Sequence, residues 1–208
     1  MVSGLWGRKI GMTQIFQDDQ TVIPVTVIDA SSWIITQIKT DERDDYSAVQ
    51  IGQVRKKYAN EAFDISWIKA LRKYFIEVKE VKVSDESLAT LKVGQQVEFH
   101  NDLAEGTTVN IFGTTIGKGF AGVVKRYNFG GGRKTHGSTF HRAPGSIGFM
   151  ATQGRVIKGK KMPGQMGSKK RVVKNLEIIK VDPNAQVILV KGSVPGKAGS
   201  LVYLQKNG

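Results

Sequence analysis

Residues 117–174 read GKGFAGVVKRYNFGGGRKTHGSTFHRAPGSIGFMATQGRVIKGKKMPGQMGSKKRVVK; they hold 14 Lys and Arg, 13 glycines and no Asp or Glu. The apolar residues of this stretch keep no sustained helical or strand period. Like charges oppose collapse, and glycine raises the entropic cost of ordering. Such a segment is not expected to build its own core. It reads either as a solvated surface loop or as an arm that orders on a polyanion. A solvated loop usually mixes signs, so the complete exclusion of acids favours the arm.

Outside this stretch the charge nearly vanishes. The chain has 208 residues, 31 Lys and Arg, 18 Asp and Glu, and a formal net charge of +13. The other 150 residues keep 17 of the basic residues and all 18 acids, a net of −1. The protein therefore reads as a nearly neutral body with a strongly basic insert. Its length and 40% apolar content suit one large or two small globular domains. There is no Cys, which removes disulfides, thiolate zinc sites and cysteine nucleophiles. No apolar run approaches the length of a membrane span, and the opening MVSGLWGRKIGM has neither a signal core nor transit-peptide character.

The body reads mainly as β-strands. Short β-branched runs at residues 5–16, 22–30, 33–39 and 47–54 are separated by turn signals and a charged loop at 41–45. They suggest an antiparallel sheet or barrel. Pro24 puts the start of its strand at an edge, or before regular pairing begins. Trp67, Ile68, Leu71 and Phe75 predict a short helix over residues 66–75 that packs on the sheet. It is too short and too sparsely apolar for a bilayer surface. Further strands are expected at 75–83, 96–100 and 108–116. After the insert, 175–181 and 186–192 read as a hairpin and 201–206 as a last strand. This tail is too small to fold alone, so it is expected to complete the sheet begun by the N-terminal part. The boundaries that follow are a discontinuous body, 1–112 with 175–208, and an extension, 113–174.

Most catalytic readings fail on the residues. Gly117, Gly119 and Gly122 fit G-x-G-x-x-G, but no acid lies between Glu105 and Glu177 to hold a ribose. A glycine-flanked turn where the chain leaves the sheet accounts for the motif better. Gly113 stands too close to Gly117 and Lys118 for a phosphate-binding P-loop. His136 and His141 have neither Cys nor a nearby carboxylate, so no metal site is expected. They could serve as a general acid and base on RNA, yet nothing local orients them. Hydrogen bonding or stacking on nucleotides beside Arg142 is the better reading. His100 reads as structural or exposed.

The cations carry a nucleic-acid pattern. Lys125 and Arg126 precede Tyr127 and Phe129; Arg133 and Lys134 precede His136 and Phe140. Arg155, Lys158, Lys160 and Lys161 are followed by Lys169, Lys170 and Arg171. Cations attract phosphates, and interleaved planar groups stack on unpaired bases. A membrane would call for a basic amphipathic helix, which Gly and Pro interrupt here. No helix-turn-helix, zinc-finger or basic-zipper pattern is present, and an irregular arm suits folded RNA.

Several of these stretches together resemble one family, the bacterial-type large-subunit ribosomal protein L-three. GLWGRKIGMTQIF and VIPVTVI look like its N-terminal signature. GTTIGKGFAGVVKRYNF, THGSTFHRAPGSIG, GKKMPGQMG and VILVKGSVPG look like its central and C-terminal ones; residues 41–97 match more loosely. The resemblance implies a mainly β fold: a translation-protein-type antiparallel β-barrel with a short helix and a long, irregular basic extension. It implies a structural constituent of the large ribosomal subunit, not an enzyme. Such a protein binds 23S-type rRNA, nucleates assembly and sends its extension toward the peptidyl transferase centre. It adds Arg8, Lys9 and Lys118 to the rRNA-binding set. The partners implied are rRNA and neighbouring ribosomal proteins, with no cofactor, metal, membrane or small-molecule substrate.

By motif position, residues 117–129 look like the base of the extension, and 135–148 and 155–167 like its two sides. Gly148, Phe149, Met150, Ala151, Thr152 and Gln153 then form the tip. Many bacterial members carry Gln and Asn just after the Pro-Gly-Ser-Ile-Gly stretch, and one such Gln can be methylated. Here Phe149-Met150-Ala151 stands there and Gln153 lies farther on. The resemblance therefore does not carry methylation over, and the tip is expected to pack apolar side chains on RNA. The implied location is a cytoplasmic ribosome, or an organellar one if an organelle encodes the chain. An RNA-cleaving or RNA-modifying enzyme and an extraribosomal regulator are the alternatives.

Overall fold

The computed structural model describes residues 3–17, 19–59, 61–98, 103–149 and 154–206. By contacts the chain divides into two units, Met1–Thr114 with Lys170–Gly208, and Thr115–Lys169.

The first unit is built on six antiparallel strands. They are β1 (Gly4–Phe16), β2 (Val22–Asp29), β6 (Thr108–Thr114), β9 (Lys170–Asp182), β10 (Val187–Lys191) and β11 (Leu201–Lys206). Their hydrogen-bonded order is β1-β11-β6-β9-β10-β2, and β2 pairs back to β1, so the ring closes. The C-terminal strands thus pair with the N-terminal ones, as the tail was expected to do. Alternation decides which face is core. Leu5, Ile28, Ile111, Ile178, Ile188, Val202 and Leu204 point inward and are buried. Pro24 faces Gln14 of β1, but β10 pairs with β2 only from Val25 onward. Its missing N–H therefore breaks no second ladder, and its carbonyl accepts from the Gly192 N–H at 2.8 Å.

Strands β3 (Trp33–Lys39), β4 (Ala48–Val54) and β5 (Phe75–Lys82) do not enter the ring; they form a separate three-stranded sheet. Its buried Trp33, Ile35, Val49, Ile51 and Val81 share one core with the ring residues. The loop expected at 41–45 contains a single helical turn, α1 (Asp41–Asp44), closed by Asp45 in the left-handed region at φ 62°.

The helix expected over 66–75 is two single turns, α2 (Ser66–Lys69) and α3 (Leu71–Tyr74), followed at once by β5. Ala70, at φ −129° and ψ 50°, breaks the helical path. Aromatic packing fixes the break. Trp67 stacks on Tyr74 with centroids 4.8 Å apart and meets Phe75 edge-on at 6.1 Å. Another turn, α4 (Asp85–Leu88), follows β5. Of the strand expected at 96–100, the described residues 96–98 carry one bridge, Gln96 to Ile34; Phe99 and His100 lie outside the described residues. Strand β9 begins at Lys170, so the basic residues Lys170, Arg171 and Lys174 belong to a strand of the ring.

Candidate nucleic-acid interface

The second unit starts as a narrow ladder. The Thr115 N–H donates to Lys169 O at 3.0 Å, Lys118 N–H to Met166 O at 2.9 Å, and Met166 N–H to Gly119 O at 2.9 Å. Two short strands, β7 (Phe120–Ala121) and β8 (Gly164–Gln165), continue it. Gly167 is required here: at φ +75° a Cβ would lie 2.1 Å from Ile116 O. The helical turn α5 (Val123–Tyr127) follows, capped by Asn128 at φ 59°, whose N–H reaches Val123 O and Val124 O. Among the described residues of this unit, Ala121 and Val123 are the buried apolar ones, so the core they form is very small.

The G-x-G-x-x-G stretch lies across this antiparallel ladder and opens a turn of only five residues. A dinucleotide site needs a strand–turn–helix of parallel βαβ type, so the geometry excludes one.

Arg126 holds the base together. Its Nη1 donates to Met162 O at 2.7 Å, and its guanidinium lies 5.0 Å from the centroid of the Tyr127 ring. Lys161 Nζ lies 5.8 Å from the same ring. Farther out, regular structure stops. The Gly132 N–H donates to His141 O at 2.8 Å, and Gly131, at φ +72°, leaves room for that carbonyl. His136 and His141 are exposed, both with positive φ, and no ion pair or metal-type cluster joins them among the described residues. Gly145 to Phe149 and Gly154 to Val156 line one open cleft of about 570 Å³. Of the expected tip, Gly148 and Phe149 are exposed, while Met150, Ala151, Thr152 and Gln153 lie outside the described residues.

The electrostatics are one-sided. Lys118, Lys125, Arg133, Lys134, Arg142, Arg155, Lys158, Lys160, Lys161 and Lys169 are all exposed, and Arg126 is half-buried. Every ion pair among the described residues lies in the first unit. Large apolar side chains stand exposed beside these cations: Phe120 at 79%, Phe149 at 74% and Ile116 at 57%. A surface that joins unpaired cations to exposed rings matches phosphate and base together.

Four predicted residues, Arg8, Lys9, Lys170 and Arg171, lie outside this unit, and Arg8 and Lys9 are engaged within the first. Arg8 Nε donates to Gln53 Oε1 at 2.6 Å and its Nη1 to Gly199 O at 2.8 Å. Lys9 Nζ donates to Val194 O at 2.8 Å and Gly196 O at 3.1 Å. These bonds tie the 192–200 loop to β1. Lys170 and Arg171 extend as exposed residues of β9.

The structure also gathers residues that the sequence reading did not single out. Trp6, Tyr203, Phe112 and Val172 are register neighbours on β1, β11, β6 and β9. They line a cleft of about 390 Å³ with Lys79, Lys170 and Arg171. The available signal was the alternation of each ring with a buried neighbour, Leu5, Leu204 and Ile111, which marks all three rings as outward-facing.

Comparison with known proteins adds an independent finding. The family model described as Ribosomal protein L3 matches residues 78–207. A large ribosomal subunit protein uL3 of Trichlorobacter lovleyi is 45% identical over 207 residues, 99% of this chain and 97% of the relative. That of Syntrophus aciditrophicus is 45% identical over 204 residues, 97% of this chain and 92% of the relative. That of Dehalococcoides mccartyi is 40% identical over 210 residues, covering 100% of both.

Proposed function

Because the chain belongs to the ribosomal protein L3 family, we propose that it binds 23S-type rRNA directly through its basic extension and nucleates large-subunit assembly. It is a structural constituent of the large ribosomal subunit rather than an enzyme, and it works in the cytoplasmic ribosome. The closed ring of strands serves as the translation-protein-type barrel of the body, which runs to Thr114 and resumes at Lys170. The segment Thr115–Lys169 is the extension, its tip directed toward the peptidyl transferase centre. Neighbouring large-subunit proteins complete its surroundings.

The observation that supports this reading is the second unit's charge: exposed cations throughout, no acid in sequence, and exposed rings among them. In isolation such a surface repels itself. Against rRNA, each cation meets a phosphate and releases a counterion. Ordering the backbone costs on the order of 1–2 kcal/mol per residue, and counterion release and stacking offset it. With 6–10 phosphate contacts, affinity falls by about 10³–10⁵ between 50 and 200 mM salt. Arg8 and Lys9, whose donors are partly used within the fold, contribute from the body.

The test is co-sedimentation. The protein is expected to travel with large subunits through a high-salt wash and to protect rRNA from chemical probing along residues 115–169. Release into the supernatant at moderate salt would make it an extraribosomal binder instead. RNA turnover by the purified protein, lost in a His136→Ala/His141→Ala variant, would make it an enzyme.

A further inference from the structure

We infer that the outer face of the ring carries a second RNA subsite, which holds one or two unpaired bases on the ladder Trp6–Tyr203–Phe112. This rests on the rRNA-binding reading above and adds to it a place and a chemistry distinct from the extension. Register sets the ladder. Trp6 pairs with Tyr203, Tyr203 with Phe112, and Phe112 with Val172, so one outward row crosses four adjacent strands. Neighbouring strands lie close to 5 Å apart, and the rings follow that spacing. Trp6 and Tyr203 centroids are 4.9 Å apart at 44°, and Tyr203 and Phe112 are 5.9 Å apart at 53°. Tilted rings do not cover one another's faces, so the ladder keeps π-surface open to a guest. Phe112 is 37% exposed and Val172 40%.

The charge around the ladder selects the guest. Lys79 Nζ stands 5.7 Å over the Trp6 ring at one end, loosely paired with Glu77 at 3.6 Å. Lys170 and Arg171 flank the other end, and no Asp or Glu lines the cleft. An apolar peptide would satisfy the rings and strand three cations. A nucleotide satisfies both, since its base stacks while the phosphates on either side meet Lys79 and Lys170 or Arg171. Rings on an exposed sheet face are a known platform for single-stranded RNA, because unpaired bases present flat faces that a duplex hides. The Trp6 indole N–H already donates to Glu80 O at 3.2 Å and Lys79 stands over its ring, so the half-buried Trp6 offers a guest its remaining ring surface and that cation.

The test pairs affinity with salt slope in the full-length protein. Phe112→Leu and Tyr203→Leu each keep an apolar side chain on the strand and remove a ring. Each is expected to bind a large-subunit rRNA fragment about 5–150-fold more weakly, with the slope of log K against log salt unchanged because no charge is lost. Circular dichroism melting establishes that the variants fold. If the wild type binds and both folded variants bind equally well, this subsite does not exist and the extension accounts for binding alone. If the wild type binds no rRNA fragment, the functional reading itself fails. A measurement free of variants runs beside it: ultraviolet cross-linking of assembled subunits, read by mass spectrometry. Nucleotide adducts on peptides that carry Trp6, Phe112 or Tyr203 support the subsite. Adducts confined to residues 115–169, or a protein segment seated in the cleft, overturn it.

Discussion

Replacing Arg155, Lys158, Lys160 and Lys161 together by Gln removes four charges from the second unit and leaves the first untouched. All four are exposed, and among the described residues none is in an ion pair. The change breaks no internal salt bridge, so the melting temperature should hold. If each cation neutralises one phosphate, each contributes about 0.7–0.9 to the slope of log K against log salt. The variant's slope should therefore be shallower by about 2.8–3.6. Over a fourfold rise in salt, from 50 to 200 mM, that is a difference of roughly 50–150-fold in how far affinity falls. Fluorescence anisotropy of a labelled rRNA fragment across a KCl series measures it directly. The matched control changes Lys56, Lys69, Arg72 and Lys92, four exposed cations of the body, and should leave the slope near that of the wild type. An unchanged slope in the first variant would refute ionic docking through this segment. Equal slope losses in both variants would refute the division between a neutral body and a binding extension.

Deleting residues 130–161 should leave the ring folded, since β6 and β9 pair directly without them; cooperative melting with weakened rRNA binding is expected, and loss of the melting transition would put the segment in the core. Gly167→Ala should disrupt the base of the extension, because φ +75° and a carbonyl 2.1 Å from the new Cβ both oppose it. Faster tryptic cleavage within 118–161 would report this, whereas Gly122→Ala, with nothing within 4 Å, should cleave like the wild type. Lys39 Nζ lies 2.8 Å from Glu80 Oε1, and this hydrogen bond, aided by the Tyr46 hydroxyl, holds the Glu80 carboxyl below its ordinary value of 4.5. A depressed carboxyl stabilises the fold above its unfolded value and loses that contribution as pH falls through the folded one. Glu80→Gln should therefore melt below the wild type at pH 6, and the gap should close in strong acid; a gap that persists there would refute the linkage.

The strands at both ends of the chain were legible because β-branched runs and turn residues act locally. What failed was decided by distant partners. The period at 66–75 is helical, yet Trp67 stacks on Tyr74 and the path breaks at Ala70. Nothing local separates β3, β4 and β5 from the ring, since register is set by which faces meet. Lys170 and Arg171 read as insert because composition hides a strand whose outer face is charged. The cations of the extension were readable one by one. Their internal uses were not: Arg126 on Met162 O, Arg8 on Gly199 O and Lys9 on Val194 O are bonds to carbonyls, which carry no side-chain signature. The ring ladder needed three registers at once.

The position of β11 bears on how the molecule is made. It sits between β1 and β6 and pairs Leu204 with both Leu5 and Ile111. During synthesis these two partners emerge long before it does. Until β11 itself leaves the exit tunnel, β1 and β6 each present an open edge that can recruit a stray strand. The nascent chain thus stays open to mispairing until β11 emerges. A product cut short before β11 would keep both edges open for good, and proteolysis or aggregation, not partial function, is its expected fate.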